Sequence, residues 1–285
     1  MDNEKLSLLL AALDTGSLTA AAERQGYTPS AVSRAVAALE EELGFPLLLR
    51  GRRGVAPTEA CSRMLPHIRR LLADEQRLRQ EAAAILGLER GSLTIGCAYG
   101  SYLPMLAELV ARFTAAHPGI RVELLEGSST EMSRAALEGR ADLCLISRRE
   151  GEFDWISLGS DPLVAVLPAS HPLAGAAAFP AARFAEEDFI DILPGKETDN
   201  SRLFQQLGIR PRTRFTSGDT MAALCLVEAG LGVTLVNRLL LERWQGRAAV
   251  LPLSPAAAVE IGVALPSRSG VSPSARSFLR LLQEA

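Results

Sequence analysis

The 285-residue chain is poor in the residues that build metal and redox centres, with four cysteines, three histidines and 5% aromatic residues. The cysteines stand at 61, 97, 144 and 225, without CxxC or metal-ligand spacing, so neither a metal site nor a redox pair is expected. Cys97 and Cys144 fall in strand-like apolar runs and Cys225 in an apolar helical stretch, which predicts buried thiols at all three. His117 precedes Pro118 and His171 sits in HPLA, neither with a ligand partner at short spacing. Net positive charge is also missing: the chain carries −3 with a pI of about 5.8, so any affinity for a polyanion must come from local basic patches. No apolar run approaches the roughly 18 residues of a membrane span. The early run LSLLLAAL is too short for a secretory segment, follows the acidic Asp2 and Glu4, and has no small-residue cleavage site after it. A cytoplasmic location with no membrane partner is therefore expected. Catalytic signatures are lacking too. There is no GxSxG elbow, P-loop, dinucleotide fingerprint or HExxH, and the serine-rich EGSST has no histidine near it. No catalytic residue and no cofactor are expected.

What is present is a globular composition, 48% hydrophobic and 22% charged, long enough for two or three domains. Residues 19–44, TAAAERQGYTPSAVSRAVAALEEELG, read as helix, glycine turn and helix. Gly26 suits the left-handed end of the first helix; Thr28 can cap the second, with Pro29 in its first turn. Val32, Val36, Leu39 and Leu43 form one apolar stripe, while Ser30, Arg34 and Ala37 point the other way, with Ser33 on the flank. Small polar groups permit close approach to a DNA groove, and Arg34 can reach a phosphate or a guanine edge. An ordinary surface helix pair has the same outline. The next segment favours DNA: FPLLLR (45–50) reads as a strand, RGRRGV as a basic turn and Val55 as the return. Such a hairpin wing brings Arg50, Arg52 and Arg53 to phosphates, although a basic turn by itself is usually only solvated. The acidic cluster Glu40–Glu42 is expected at the solvent end of the second helix.

From about Thr58 to Ala84 a helix carries Met64, Ile68, Leu71, Glu75, Leu78, Ala82 and Ile85 at spacings of 4,3,4,3,4,3, a heptad seam with one charged interruption. Pro66 should weaken it near its start. A partner chain is the expected cover, with Met64, Ile68, Leu71 and Leu78 in the dimer contact. LGLERGS then reads as a hinge. Beyond Ser92, strand-like and helical stretches alternate, implying parallel sheets with covering helices in two lobes.

In open α/β sheets ligands sit beyond the carboxyl ends of the strands. That rule selects Tyr99, Gly100, Ser101 and Tyr102 after the first strand, Gly127–Thr130 with Ser128 and Ser129 after the second, and Ser147–Arg149 after the third. In the second lobe it selects Pro194–Thr198 and Ser217–Thr220, with Lys196, Thr198 and Thr220 as the candidate contacts. Hydroxyls with Arg148 or Lys196 suit a small anionic effector, though any one of them also reads as a helix cap or an exposed loop residue.

The segment from Leu6 to about Leu72 resembles the LysR-type transcriptional regulators. LLAALDTGSLTAAAERQGYTPSAVSRAVAALEEELGFPLLLR, the turn GRRGVAPTEA and the long helix after it carry the likeness. It departs from the family's pattern at Pro29, Ala35 and Leu48. The resemblance implies that Thr28, Pro29, Ser30, Ser33 and Arg34 begin a recognition helix, with Arg50, Arg52 and Arg53 in the wing. It also implies a linker helix pairing the DNA-binding domains, and an effector domain similar to periplasmic solute-binding proteins.

The expected architecture is α/β overall: a winged helix-turn-helix over residues 1–58, a linker and dimerisation helix over 59–85, a hinge over 86–91 and a two-lobed effector domain over 92–285. Lobe I takes about 92–163 and 265–285, and lobe II about 164–264. The expected partners are double-stranded promoter DNA, further copies of the chain as a dimer or tetramer, and RNA polymerase. A transport-type binding protein accounts for the second half but not for the winged helix; an enzyme lacks its motifs.

Overall fold

Four polar side chains set the helix starts of the N-terminal unit, Met1–Leu88. Asp2 accepts the Glu4 N–H at the head of α1 (Asn3–Thr15), Ser17 accepts from Ala20 in α2 (Leu18–Gln25), Thr28 from Ala31 in α3 (Pro29–Leu43) and Thr58 from Cys61 in α4 (Glu59–Ile85). Gly26, at φ +74°, ends α2 in the left-handed region. The structure, a computed structural model, describes residues 1–51, 54–86, 90–242, 244–266 and 270–284. Arg52 and Arg53 lie outside the described residues, as do positions 87–89 of the expected hinge.

Val32, Val36 and Leu39 turn the inner face of α3 into the core, where Val36 and Leu39 meet Leu6, Leu9, Leu47, Cys61 and Ile68. Burying each such side chain contributes about 1.5–3 kcal/mol. The wing strands β1 (Leu48–Gly51) and β2 (Gly54–Pro57) pair antiparallel. β1 starts at Leu48 rather than Phe45 because Pro46 has no N–H and the Leu47 and Leu48 N–H groups go to Glu40. Gly54 cannot be replaced without strain: its φ is +108°, and an added Cβ would stand 2.2 Å from the Gly16 carbonyl oxygen. That carbonyl accepts the Val55 N–H at 2.9 Å, fixing the wing to the end of α1. α4 runs 27 residues straight through Pro66.

The second unit comprises Glu89–Ala136 and Ala141–Ala285. In its first lobe β3 (Gly91–Cys97) is flanked by parallel neighbours β4 (Ile120–Glu126) and β5 (Leu143–Ser147), with α5 (Leu103–Ala116) and α6 (Ser129–Leu137) as connections. The long β6 (Asp154–Leu167) leaves this lobe for the second, where the short β7 (Phe179–Pro180) follows it in the chain. There β8 (Phe189–Ile192) and β9 (Thr213–Ser217) pair in parallel, with α7 (Asp199–Leu207) between them and α8 (Thr220–Glu228) after β9. β10 (Thr234–Asn237) and β11 (Ala249–Ser254) run antiparallel to the far half of β6. β12 (Ala258–Leu265) returns antiparallel to β6 and joins β5, so the large eight-stranded sheet is mixed where alternation predicted a parallel one, while the β8–β9 pair is parallel as predicted. The reason is topological: the two crossover strands traverse the unit in opposite directions.

α9 (Pro273–Gln283) closes the first lobe, with Phe278 edge-to-face on Phe113 at 5.5 Å within the core of Leu93, Ile95, Leu106 and Val263. The second lobe has its own core around Phe179, Phe184, Phe189 and Leu235. Cys61, Cys97 and Cys144 are buried, and burial pushes the Cys97 thiol up to about 11. Cys225 is exposed, against expectation. α8 is apolar nearly all round but buries only Ala223, Leu224 and Val227, which leaves Cys225 and Met221 outside.

Candidate functional site

On the N-terminal unit the outer face of α3 presents exposed Ser30 and Arg34, with Ser33 half-buried and Thr28 and Pro29 exposed at the helix start. Arg50 in β1 donates from Nη1 to Ser33 Oγ at 3.3 Å, so helix and wing form one surface. Helix N-terminus, hydroxyls and guanidinium groups are together the donor set that reads a phosphate backbone and base edges.

In the second unit the two lobes meet around a buried ion pair. Arg149, just past the end of β5, reaches Asp199, the first residue of α7; Nη2 and Oδ1 are 2.8 Å apart, with the side chains 5% and 8% exposed. Arg149 also donates to Ser147 Oγ at 2.6 Å and to Thr130 Oγ1 at 3.0 Å. The Ser147 hydroxyl donates to Asp199 Oδ1 at 2.6 Å, and the Tyr99 hydroxyl to Oδ2 at 2.6 Å. Ser129 Oγ accepts the Ser147 N–H at 3.1 Å. Burial first, and then the Asp199 carboxylate, holds the Tyr99 phenol far above its ordinary value, so it stays protonated and donates. Buried charges at this cost are kept only when paired and fully hydrogen-bonded, as these are.

These groups converge because they sit at or just beyond the carboxyl ends of β3, β4, β5, β8 and β10. The thiol-free hollow between them has a volume of about 140 Å³ and is lined by Tyr99, Ser129, Arg149, Asp199, Thr220 and Asn237 among others. Leu193, which also lines it, is the one described non-glycine residue at positive φ (58°). Backbone strain of that kind is kept where the surroundings enforce it.

The two halves match one family throughout. Residues 4–62 match the bacterial regulatory helix-turn-helix protein, lysR family, and residues 86–285 match the LysR substrate binding domain. The chain belongs to the LysR family. It is 27% identical over 283 residues to the uncharacterized HTH-type transcriptional regulator YvbU of Bacillus subtilis, covering 98% of this chain and 97% of that protein. It is 30% identical over 237 residues to the HTH-type transcriptional regulator CfxR of Cupriavidus necator, covering 82% and 74%. Full-length OxyR from Pseudomonas aeruginosa shares the fold, with a TM-score of 0.72 at 20% identity, over 99% of this chain and 94% of that one. As a LysR-type protein the chain is a DNA-binding transcriptional regulator with an effector-binding domain.

Of the ten residues expected to hold the effector of this LysR-type regulator, Tyr99, Gly100, Ser128, Ser129, Thr198 and Thr220 line the hollow. Tyr102 faces a separate one of about 580 Å³ with Asp161 and Trp244, and the Ser101 hydroxyl is buried elsewhere without a hydrogen-bond partner among the described residues. Arg148 does not line the hollow. It is exposed, pairs with Glu260 at 3.2 Å and stacks over Trp155, because successive residues leaving β5 point to opposite sides and the cleft takes Arg149. Lys196 bridges to Glu131 at 3.0 Å near the rim. The strand-end rule takes in Ser147–Arg149 but nominates Arg148 rather than Arg149 as the cation, and its second-lobe segment Pro194–Thr198 stops one residue short of Asp199. The reciprocal Thr198–Ser201 cap, a spacing visible in the sequence, sets the start of α7 at Asp199 rather than near Ser201.

The heptad seam of the linker helix also divides. Ile68 is 2% exposed inside the core of its own domain, which removes it from any partner contact, and the half-buried Met64 packs against the same cluster. Leu71, Leu78 and Ile85 are 40%, 70% and 84% exposed. Glu75, the charged interruption, accepts from Asn3 at 2.8 Å and from Arg79. Among the described residues no cluster of acidic, histidine and cysteine side chains could hold a metal ion, and no helix is long and apolar enough to cross a membrane.

Proposed function

We propose that this LysR-type regulator acts in the cytoplasm as a homodimer or tetramer, and that a small anionic effector held between its lobes sets its promoter contacts. In this reading residues 1–58 contact DNA through Thr28, Pro29, Ser30, Ser33, Arg34 and Arg50, and residues 59–85 pair two copies through Leu71, Leu78 and Ile85. RNA polymerase is the partner at the promoter, and no chemical step is catalysed.

The observation that carries the effector reading is Arg149, a guanidinium almost fully buried at the strand ends with the hydroxyls of Ser147 and Thr130 on it. Arginine presents a planar fork matched to carboxylates, and its charge is strongest where water is excluded. Ser128, Ser129 and Tyr99 add neutral donors around it. An effector shifts the regulator only by its differential affinity for two arrangements, so a site that joins two lobes is well placed to do so.

Thermal-shift and calorimetric screening of small carboxylates against the full chain tests this. Stabilisation by carboxylates, together with altered affinity for the promoter, is expected. A screen in which every hit is cationic or apolar overturns the anionic reading.

A further inference from the structure

The donors of the cleft are already occupied, and by the protein itself. Lobe I supplies Tyr99 from the end of β3 and Ser147 and Arg149 from the end of β5; lobe II supplies one carboxylate, Asp199. Each oxygen of that carboxylate is engaged as a bound ligand's would be: Oδ1 takes Ser147 Oγ–H at 2.6 Å and Arg149 Nη2–H at 2.8 Å, and Oδ2 takes the Tyr99 O–H at 2.6 Å. Three donors, one of them a cation, enclose a side chain that is 8% exposed. At the rim a second, nearly half-exposed pair also spans the lobes, Lys196 with Glu131 at 3.0 and 3.1 Å.

The remaining space is also small. About 140 Å³ lies below the roughly 300–1,000 Å³ of typical small-molecule sites. An anion that uses Arg149 must therefore take over donors that Asp199 now holds, and must gain volume by moving it. Exchange of one carboxylate for another keeps the buried guanidinium paired throughout, whereas simple removal would strand its charge.

We infer that Asp199 is an internal occupant of the regulator's carboxylate subsite, a tethered pseudo-ligand that an anionic effector displaces. This rests on the anionic-effector reading above and adds the regulation of that site. With Asp199 seated, the first turn of α7 is fastened to lobe I. Displacement frees that turn, so effector occupancy and interlobe attachment exclude one another. The tethered carboxylate also sets a threshold: it competes at a high effective concentration, and the observed affinity for effector is reduced by the fraction of time it is seated.

The test uses acetate and formate, which reproduce the Asp199 side chain, on the full-length protein. Asp199→Ala leaves a space of that shape beside Arg149. Acetate is expected to raise the melting temperature of D199A in a concentration-dependent manner and to bind it about tenfold or more tightly than it binds the unchanged protein. The effect should vanish in the D199A/R149Q double variant. D199N keeps the shape and the fold while removing the charge, and carries the test by calorimetry if D199A does not fold; it too should gain acetate affinity. Acetate binding no tighter in D199A or D199N than in the unchanged protein overturns the inference. If larger carboxylates nevertheless stabilise the unchanged protein, the anionic-effector reading stands while the internal occupant falls. If no carboxylate binds any variant, both fall.

Discussion

The Glu40 carboxylate accepts the backbone N–H groups of Leu47 and Leu48, through Oε1 at 2.7 and 3.1 Å, and so fastens the wing to the far end of α3. Of the acidic cluster 40–42, expected at the solvent end of the helix, Glu41 and Glu42 are exposed, Glu42 pairing with the N-terminal ammonium at 2.6 Å, while Glu40 is half-buried. Glu40 thus sets the distance between α3 and Arg50. Hydrogen bonds to a charged group contribute about 1.5–3 kcal/mol, so Glu40→Ala is expected to destabilise the protein by about 2 kcal/mol. E40Q, whose amide oxygen still accepts, should lose about half of that. Urea unfolding followed by circular dichroism measures both, and an unchanged midpoint in E40A refutes the role.

Arg34 stands exposed on the outer face of α3, away from the core that Val32, Val36 and Leu39 fill. Arg34→Ala should therefore weaken promoter binding by about 1–3 kcal/mol if it reads a base, or lower the salt slope by about one if it meets a phosphate. Folding and oligomeric state should not move. Unchanged affinity at matched salt would remove Arg34 from the interface.

For the linker helix, the division of the seam separates two outcomes that the periodicity alone would merge. A charge at Ile68 enters the core beside Leu39 and Leu47 and should unfold the N-terminal domain, at a cost of about 3 kcal/mol or more. Charges at Leu78 and Ile85 should leave each chain folded and abolish its pairing. Light scattering with circular dichroism distinguishes them; an intact dimer in the Leu78→Glu, Ile85→Glu variant would refute pairing through α4.

What the sequence reveals follows the range of the interactions. Thr28, Pro29 and Gly26 announce their roles through neighbours two or three residues away, so the helix-turn-helix is legible. Gly54 is not, because what forbids a side chain there is the carbonyl of Gly16, 38 positions earlier in the chain. The strand-end rule finds Tyr99 and Ser129 in the cleft but not the carboxylate of Asp199 that completes their network. Tyr99 and Asp199 are a hundred residues apart, and the choice of Arg149 over Arg148 depends on a one-residue alternation at the end of β5. Ile68 shows the converse limit: a perfect heptad position is spent on an intramolecular core.

Glu131 carries two attachments: its carboxylate accepts the Ser128 N–H at 2.8 Å, capping α6, and pairs with Lys196 of the other lobe. The Ser128 N–H first, and then Lys196, hold the carboxyl below its ordinary 4.5. A carboxyl with a depressed folded value stabilises the protein fully above its unfolded value and loses that stabilisation as pH falls through the folded one. Glu131→Gln is therefore expected to cost about 1 kcal/mol at pH 7, and the gap to the unchanged protein should close as pH drops below about 4. Lys196→Met removes only the second attachment. Both partners of that pair are nearly half exposed, so its loss should cost about 0.5 kcal/mol and shrink further in salt. Thermal unfolding of the three proteins across pH 3–8 measures this, and a Glu131→Gln gap that widens in acid would show that the carboxylate is not stabilised by these partners.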